Sequence, residues 1–278
     1  EYKVDKANSL FSVNDYILRG EIESGNFLDS QVNSSFETYK SGNEYRFQIQ
    51  GNIEGPFSTL TKLSFANLRD FTVDGGKHFT QFEFDSSLSK GISLLKEDSE
   101  LRIRTESKRA NLDFHSFGLD LNNIYIKAEY DSAVGFEDGI ISFKLNSNPV
   151  VLELSEKKTS EGLISFISKD KIRFQDLVPQ NLQSDIKGIS DARLELNIST
   201  FQRGLKYIES PSIDLYSNLK GTEIKISDPF LKPASKIIDL EISFSPFYKD
   251  NKSQVKFSYG DLLRGKLHFY EKNIEGFL

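Results

Sequence analysis

The chain has 278 residues, with 35 basic and 41 acidic side chains and a formal net charge of −6. Its charges are interspersed and lack the basic stripe needed to displace counterions from a polyanion, so a nucleic-acid partner is excluded. It contains no cysteine, methionine or tryptophan, which removes disulfides, thiolate metal sites and cysteine nucleophiles together.

With no methionine at its start and no charged-then-apolar leader, the sequence reads as a segment of a longer protein. No apolar run approaches the roughly 18 residues of a spanning helix, so any anchor is expected outside this segment. Hydrophobic residues make up 37% and glycines number 18, which allows only a thin two-layer core.

Hydrophobicity alternates with period two almost throughout. In residues 44–53, Tyr45, Phe47, Ile49 and Ile53 alternate with Arg46, Gln48, Gln50 and Asn52. The pattern returns at Leu101 and Ile103, then at Ile124, Ile126, Ala128 and Tyr130, then at Ile141, Phe143 and Leu145. It continues through Val150, Leu152 and Leu154, through Ala192, Leu194, Leu196 and Ile198, and through Ile213 and Leu215. The last runs are Ile238, Leu240, Ile242 and Phe244, then Val255, Phe257 and Tyr259, then Leu267 and Phe269. Strict alternation sets one strand face against apolar material and the other in water. The 23 Phe and 11 Tyr suit strands as well, and short connections such as Ser41-Gly42-Asn43 favour antiparallel pairing.

Helical signal is sparse. Residues 56–63 predict a turn or two, and residues 175–186 carry Leu177, Leu182 and Ile186 at loosely helical spacing after Pro179. Polar and glycine-rich stretches predict loops at 70–77, 155–162, 200–206 and 248–253. The expected fold is all-β: a long, mainly antiparallel, strongly curved sheet forming an open groove, with one or two short helices. Residues 1–174 form a first β segment, 175–190 a helical or irregular connection, and 191–278 a second β segment of the same groove.

Catalytic chemistry finds little support. His78, His115 and His268 stand apart, none at metal-ligand spacing, and are expected on the surface or a strand face. Asp113 and His115 share a face, but Ser116 points the other way in an extended strand and no nucleophile elbow is present. The pairs Glu83/Asp85 and Asp239/Glu241 sit among polar neighbours and read as solvated. Gly75-Gly76-Lys77 lacks the spacing of a phosphate loop. No catalytic residue, metal or cofactor is expected.

The informative feature is the apolar face itself. In a sandwich a second sheet would cover it; here cover elements are scarce, so acyl chains are the expected cover, at about 0.8 kcal/mol per buried methylene. By strand parity its lining is Tyr45, Phe47, Ile49, Ile103, Ile124, Ile126, Ile141, Phe143, Leu145, Leu152, Leu194, Leu196, Leu215, Leu240, Ile242 and Phe257. A bulge would shift this assignment downstream of it.

Several stretches carry a resemblance. Gly25-Asn26-Phe27 closes a strand pair, Gly55-Pro56 ends the strand from Ile49, and Gly139-Ile140-Ile141 and Asn148-Pro149-Val150 punctuate the strands that follow. Downstream, Ser217, Leu219 and Gly221 stand in Ser-Asn-Leu-Lys-Gly, and Pro229 and Lys232 in Asp-Pro-Phe-Leu-Lys-Pro-Ala. In this order they resemble the AsmA-like superfamily, in its YhdP branch of large envelope proteins, over residues 16–278. Asn218 stands where that family has Asp, and Phe230 where it has a second proline. The resemblance implies a bridge-like β-groove in the periplasm of a Gram-negative bacterium, anchored in the inner membrane by other parts of the protein. It also implies phospholipid, or another acyl-chain lipid, as partner. The prolines of 228–234 predict a rigid connection at the groove's rim, with Lys232 expected to be solvated there rather than on a headgroup.

Overall fold

A computed structural model describes residues 4–15, 17–59, 71–89, 98–114, 119–155, 163–178, 180–199, 212–228, 230–248, 252–270 and 273–277. These residues are nearly all β. The first nine strands are β1 (Val4–Asn14), β2 (Ile17–Phe27), β3 (Ser30–Ser41), β4 (Glu44–Pro56), β5 (Phe71–Ser87), β6 (Glu100–Phe114), β7 (Leu119–Asp131), β8 (Gly135–Leu145) and β9 (Asn148–Leu154). They are followed by β10 (Leu163–Ile172), β11 (Ile186–Gly188), β12 (Ser190–Ser199), β13 (Ser212–Ser217) and β14 (Thr222–Ile224). The last are β15 (Leu240–Tyr248), β16 (Lys252–Tyr259), β17 (Leu263–Tyr270) and β18 (Asn273–Phe277).

Sixteen of these strands pair antiparallel in one sheet that follows chain order and omits only β11 and β14. The sheet does not close; β1 and β18 are its edges. At about 4.8 Å per strand it measures roughly 70 Å along the hydrogen-bonding direction. Local chemistry explains the chain-order topology. The β1–β2, β2–β3, β3–β4 and β8–β9 hairpins turn on two residues, and the first of each pair, Asp15, Leu28, Gly42 and Asn146, has positive φ. That backbone matches the right-handed twist of the flanking strands, so each strand folds straight back on its predecessor.

Two bulges preserve the apolar face. Arg109 and Asn123 take φ of 61° and 54°, and the β6–β7 register shifts around Arg109 while the β7–β8 register shifts around Asn123. The extra residue in β7 leaves Leu121, Ile124 and Ile126 on one side although Leu121 and Ile124 differ in parity.

The connection between Ile172 and Ser190 leaves the sheet at one strand end, here termed the lower end, while β10 and β12 pair directly. The sheet therefore runs unbroken across the expected boundary. Where residues 175–186 predict one helix, the structure has two short 3-10 turns, Phe174–Leu177 and Gln180–Asp185. With β11, β14 and the segment that precedes β15, they underlie the sheet. Phe174, Ile186, Leu219, Ile224 and Ile238 are buried there with Leu145, Val150, Leu152, Ile172, Ala192, Leu194, Leu215 and Tyr259. Each Val, Leu, Ile or Phe side chain so buried contributes about 1.5–3 kcal/mol. A smaller cluster joins Phe57 to Ala110 and Ile124.

The loop expected at 70–77 is instead the first part of β5: Gly75 and Gly76 adopt positive φ within the paired strand. Glycine tolerates that backbone, so the pair bends the strand without ending it. The short helix expected at 56–63 is present at 57–59, and the rest of it lies outside the described residues. So do the loop at 200–206, residues 156–162 of the loop expected at 155–162, and 249–251 of the loop expected at 248–253, whose Tyr248, Lys252 and Ser253 belong to β15 and β16.

Candidate ligand-binding face

Residues directly opposite in antiparallel strands share a face, so the register sorts every side chain. One row runs Phe36, Ile49, Phe84, Leu101; the next Gly51, Phe82, Ile103, Tyr130, Phe136. In the second half, Phe166, Leu196, Ile213, Phe244, Val255 and Leu267 form a continuous row beside Leu194, Leu215, Ile242 and Phe257. Phe47 follows Ile49 on the same side, and Tyr45 follows Phe47. Ile126 pairs with Ile141 and Ile141 with Leu152, while Phe143 and Leu145 extend that side of β8. All sixteen candidate lining residues therefore lie on one face of one sheet.

Their burial is graded. Ile124, Leu145, Leu152, Leu194 and Leu215 are buried in the protein core. Phe47, Ile49, Ile103, Ile126, Ile141, Phe143, Leu196, Leu240, Ile242 and Phe257 are half-buried, and Tyr45 is exposed. For Leu145, Leu152, Leu194 and Leu215 the burial follows from the cover at the lower end, where the 3-10 turns and the β11–β14 pair lie under the strand ends. In the first half the same face is also buried away from that cover, at Phe84 and at Ser86, whose hydroxyl bonds Ser99. Among the described residues the only other sheet is that two-stranded pair.

The motif residues form the centre of this lower cover. Ser217 Oγ donates to the Asp191 carbonyl and accepts from the Leu219 amide, and Leu219 is buried at a φ of 50°. Gly221 takes a φ of 97°, and its amide donates to the Ala234 carbonyl. A bridge of two backbone hydrogen bonds joins Ile224 to Lys232. Pro229 lies outside the described residues.

Lys232 differs from the expectation of a solvated rim lysine: it is 1% exposed. Its ammonium donates to the carbonyls of Leu219 (2.7 Å), Thr222 (2.7 Å) and Pro233 (3.2 Å). Three donors meet three acceptors, so the cation is hydrogen-bonded as fully as water would bond it. Burial, and then the charge of Lys236, lower its pKa from the ordinary lysine value. This side chain clips the 219–233 turn together and faces neither a headgroup nor bulk water.

A second polar feature has no counterpart in the sequence motifs. Near the lower end of β3–β6 the face carries Ser30, His78 and Ser107, all buried. Ser30 Oγ donates to Thr59 Oγ1 at 2.9 Å and lies 3.1 Å from His78 Nε2; His78 Nδ1 lies 3.2 Å from Thr80 Oγ1. Thr80 in turn bonds Thr105. Both imidazole nitrogens thus face hydroxyls. Burial lowers the His78 pKa, against the opposing pull of Glu54. Ser30 is too enclosed to meet a substrate, so the Ser–His contact works as a structural junction between β3, β5 and the turn at Thr59. Its only sequence signal is that Ser30 and His78 fall on the face that carries most of the apolar side chains.

The opposite face is polar. Asp85 accepts from Tyr39 and Arg46, and Glu83 from Gln48, so this carboxylate pair is taken up by neighbours. Depressions of about 720 and 470 Å³ occur here, lined chiefly by residues such as Glu21, Ser35, Gln50, Asn52 and Arg104. Ion pairs such as Arg102–Asp131 and Arg104–Glu129 run across it. Among the described residues no group of His and acidic side chains is placed to hold a metal. His115 and Ser116 lie outside the described residues. Comparison with protein-family models, curated proteins and solved structures finds no match to this chain.

Proposed function

We propose that this chain is a non-enzymatic, lipid-conducting segment of an envelope protein, whose apolar sheet face carries the acyl chains of phospholipid. The observation that supports this is the register. Most of the Phe, Ile and Leu side chains of the sixteen strands lie on one side, Leu10, Phe79, Ile140 and Ile167 being exceptions, and no second large sheet covers that side among the described residues. An acyl chain reaches about 15 Å, half of a bilayer's hydrocarbon core of roughly 30 Å, so a face roughly 70 Å across seats several in series. At about 0.8 kcal/mol per methylene, one chain is held without any specific contact and slides without breaking one. The open edges allow the face to continue in neighbouring polypeptide, as conduction between two membranes requires. The resemblance of residues 217–234 to the AsmA-like superfamily agrees with this reading and suggests the periplasm as its setting.

Mass spectrometry of lipids extracted from the purified chain tests the proposal. Stoichiometric phospholipid is expected, and it should be lost in Phe47→Asp combined with Phe257→Asp, both half-buried positions that retain folding. A lipid-free chain that unfolds cooperatively overturns it and leaves a scaffold module of the envelope.

A further inference from the structure

The turn at residues 57–59 lies over the apolar face near the middle of the sheet. Phe57 is 3% exposed and packs with Ala110 and Ile124, and Ile126 and Phe143 border the same cluster. Three lining residues, Ile124, Ile126 and Phe143, thus have Phe57 as part of their cover. The turn follows the end of β4 and is not paired in the sheet, so it can leave while the strands stay. Phe57 is one of its holds, and the hydroxyl bond from Ser30 to Thr59 is another.

That bond fixes the state of His78. Ser30 Oγ spends its proton on Thr59, so it accepts from His78 Nε2–H, and Nδ1 is left to accept from the Thr80 hydroxyl. Thr105 completes the chain by donating to Thr80. Every proton is used once, and the chain suits a neutral ring in one tautomer. A second ring proton would sit on Nδ1, against the proton of Thr80. Both ring nitrogens face hydroxyls, and neither faces a carboxylate. Glu54, Lys77, Glu106, Lys108 and Lys127 alternate with the residues of this face and point to the other, and Asp29 lies in the β2–β3 turn. Glu106 and Lys108 pair with each other at 2.8 Å.

We propose that the Ser30–Thr59–His78 junction is a proton-released clasp: uptake of a proton from solvent at His78 Nδ1 frees the turn at 57–59 and uncovers Ile124, Ile126 and Phe143. The direction follows from linkage. Clasped, His78 is 2% exposed, and burial lowers its pKa against the weaker opposing pull of Glu54. Released, the ring meets water and titrates as an ordinary imidazole, near 6.5. The state with the higher proton affinity gains as pH falls, so the ratio of released to clasped chain rises by up to about tenfold per pH unit below about 6.5. What the uncovered face then admits rests on the lipid reading, whereas the release itself does not.

The chain has no tryptophan, so Phe57→Trp places a single emitter in the turn. Its emission should move to the red between about pH 6.5 and pH 5 while the far-ultraviolet circular dichroism of the sheet stays constant. Adding His78→Gln should hold the emission steady over that range. Adding Thr59→Val instead, which removes the hydroxyl and keeps the shape, should shift the emission to the red already at pH 7.5. On the parent chain, which carries no substitution in the turn, the neutral dye Nile red should gain emission over the same acid range, and His78→Gln should remove that gain. The proposal is overturned by tryptophan and dye signals that stay level with pH, by an emission change that keeps step with loss of circular dichroism, or by a response that survives His78→Gln. No lipid enters either readout, so a chain that releases its turn but carries no phospholipid would sink the lipid reading and leave the clasp.

Discussion

Replacing Lys232 by methionine keeps most of the aliphatic stem and removes the three N–H donors. Two opposing effects follow. The ammonium no longer has to be desolvated, which favours the variant, and three carbonyls lose a charge-assisted hydrogen bond, which disfavours it. The Leu219 and Pro233 carbonyls also accept the amides of Thr222 and Lys236, so they are only partly orphaned. Hydrogen bonds to charged groups contribute about 1.5–3 kcal/mol each, and a buried carbonyl left short costs about 1–3 kcal/mol. After the desolvation relief, a net loss of about 2–4 kcal/mol is expected, a large part of a stability of about 5–15 kcal/mol. Urea unfolding followed by circular dichroism should show a lower midpoint with unchanged slope. A Lys232→Met protein within about 0.5 kcal/mol of the parent would refute the clip and restore a solvated lysine, since surface substitutions fall in that range.

Three further outcomes are expected. Leu194→Asp should abolish cooperative unfolding in thermal melts, because Leu194 is 4% exposed and a carboxylate there has no partner, whereas Phe257→Asp should melt nearly as the parent. The parent should lose stability as pH falls below about 6.5: His78 has a lowered pKa when folded, so the unfolded chain takes up its proton first. His78→Gln should flatten the melting temperature between about pH 6.5 and pH 5, above the main carboxylate titration, and an unchanged profile there would rule His78 out. Gly188→Ala should lower the unfolding midpoint by more than the usual 1 kcal/mol of a glycine change, since Gly188 has a φ of 105° and a Cβ would collide with the Gly221 carbonyl. An unchanged midpoint would show that β11 and β14 do not pack as described.

The single antiparallel sheet and the identity of its apolar face were legible from alternation and short turns alone. Period-two patterning is a local property, and antiparallel pairing sets directly opposite residues on the same side, so residues as distant as Phe47 and Phe257 could be placed on one side from the apolar alternation of their own strands. Even the bulge at Asn123 did no harm, because Ile124 and Ile126 both follow it and share a parity.

Tertiary structure decided which members of that face are covered. Leu194 and Phe257 have the same pattern in sequence, yet one is core and the other half-buried, because the β11–β14 pair and the 3-10 turns lie at one end of the strands only. Lys232 shows the same limit more sharply. A lysine among prolines reads as solvated, since burying an ammonium is costly, and only the folding of residues 219–233 around it supplies the three carbonyls that offset the cost. The Ser30–Thr59–His78 junction was hidden for a like reason: its members are separated by tens of residues, and hydrogen bonding acts over ångströms in space whatever the distance along the chain.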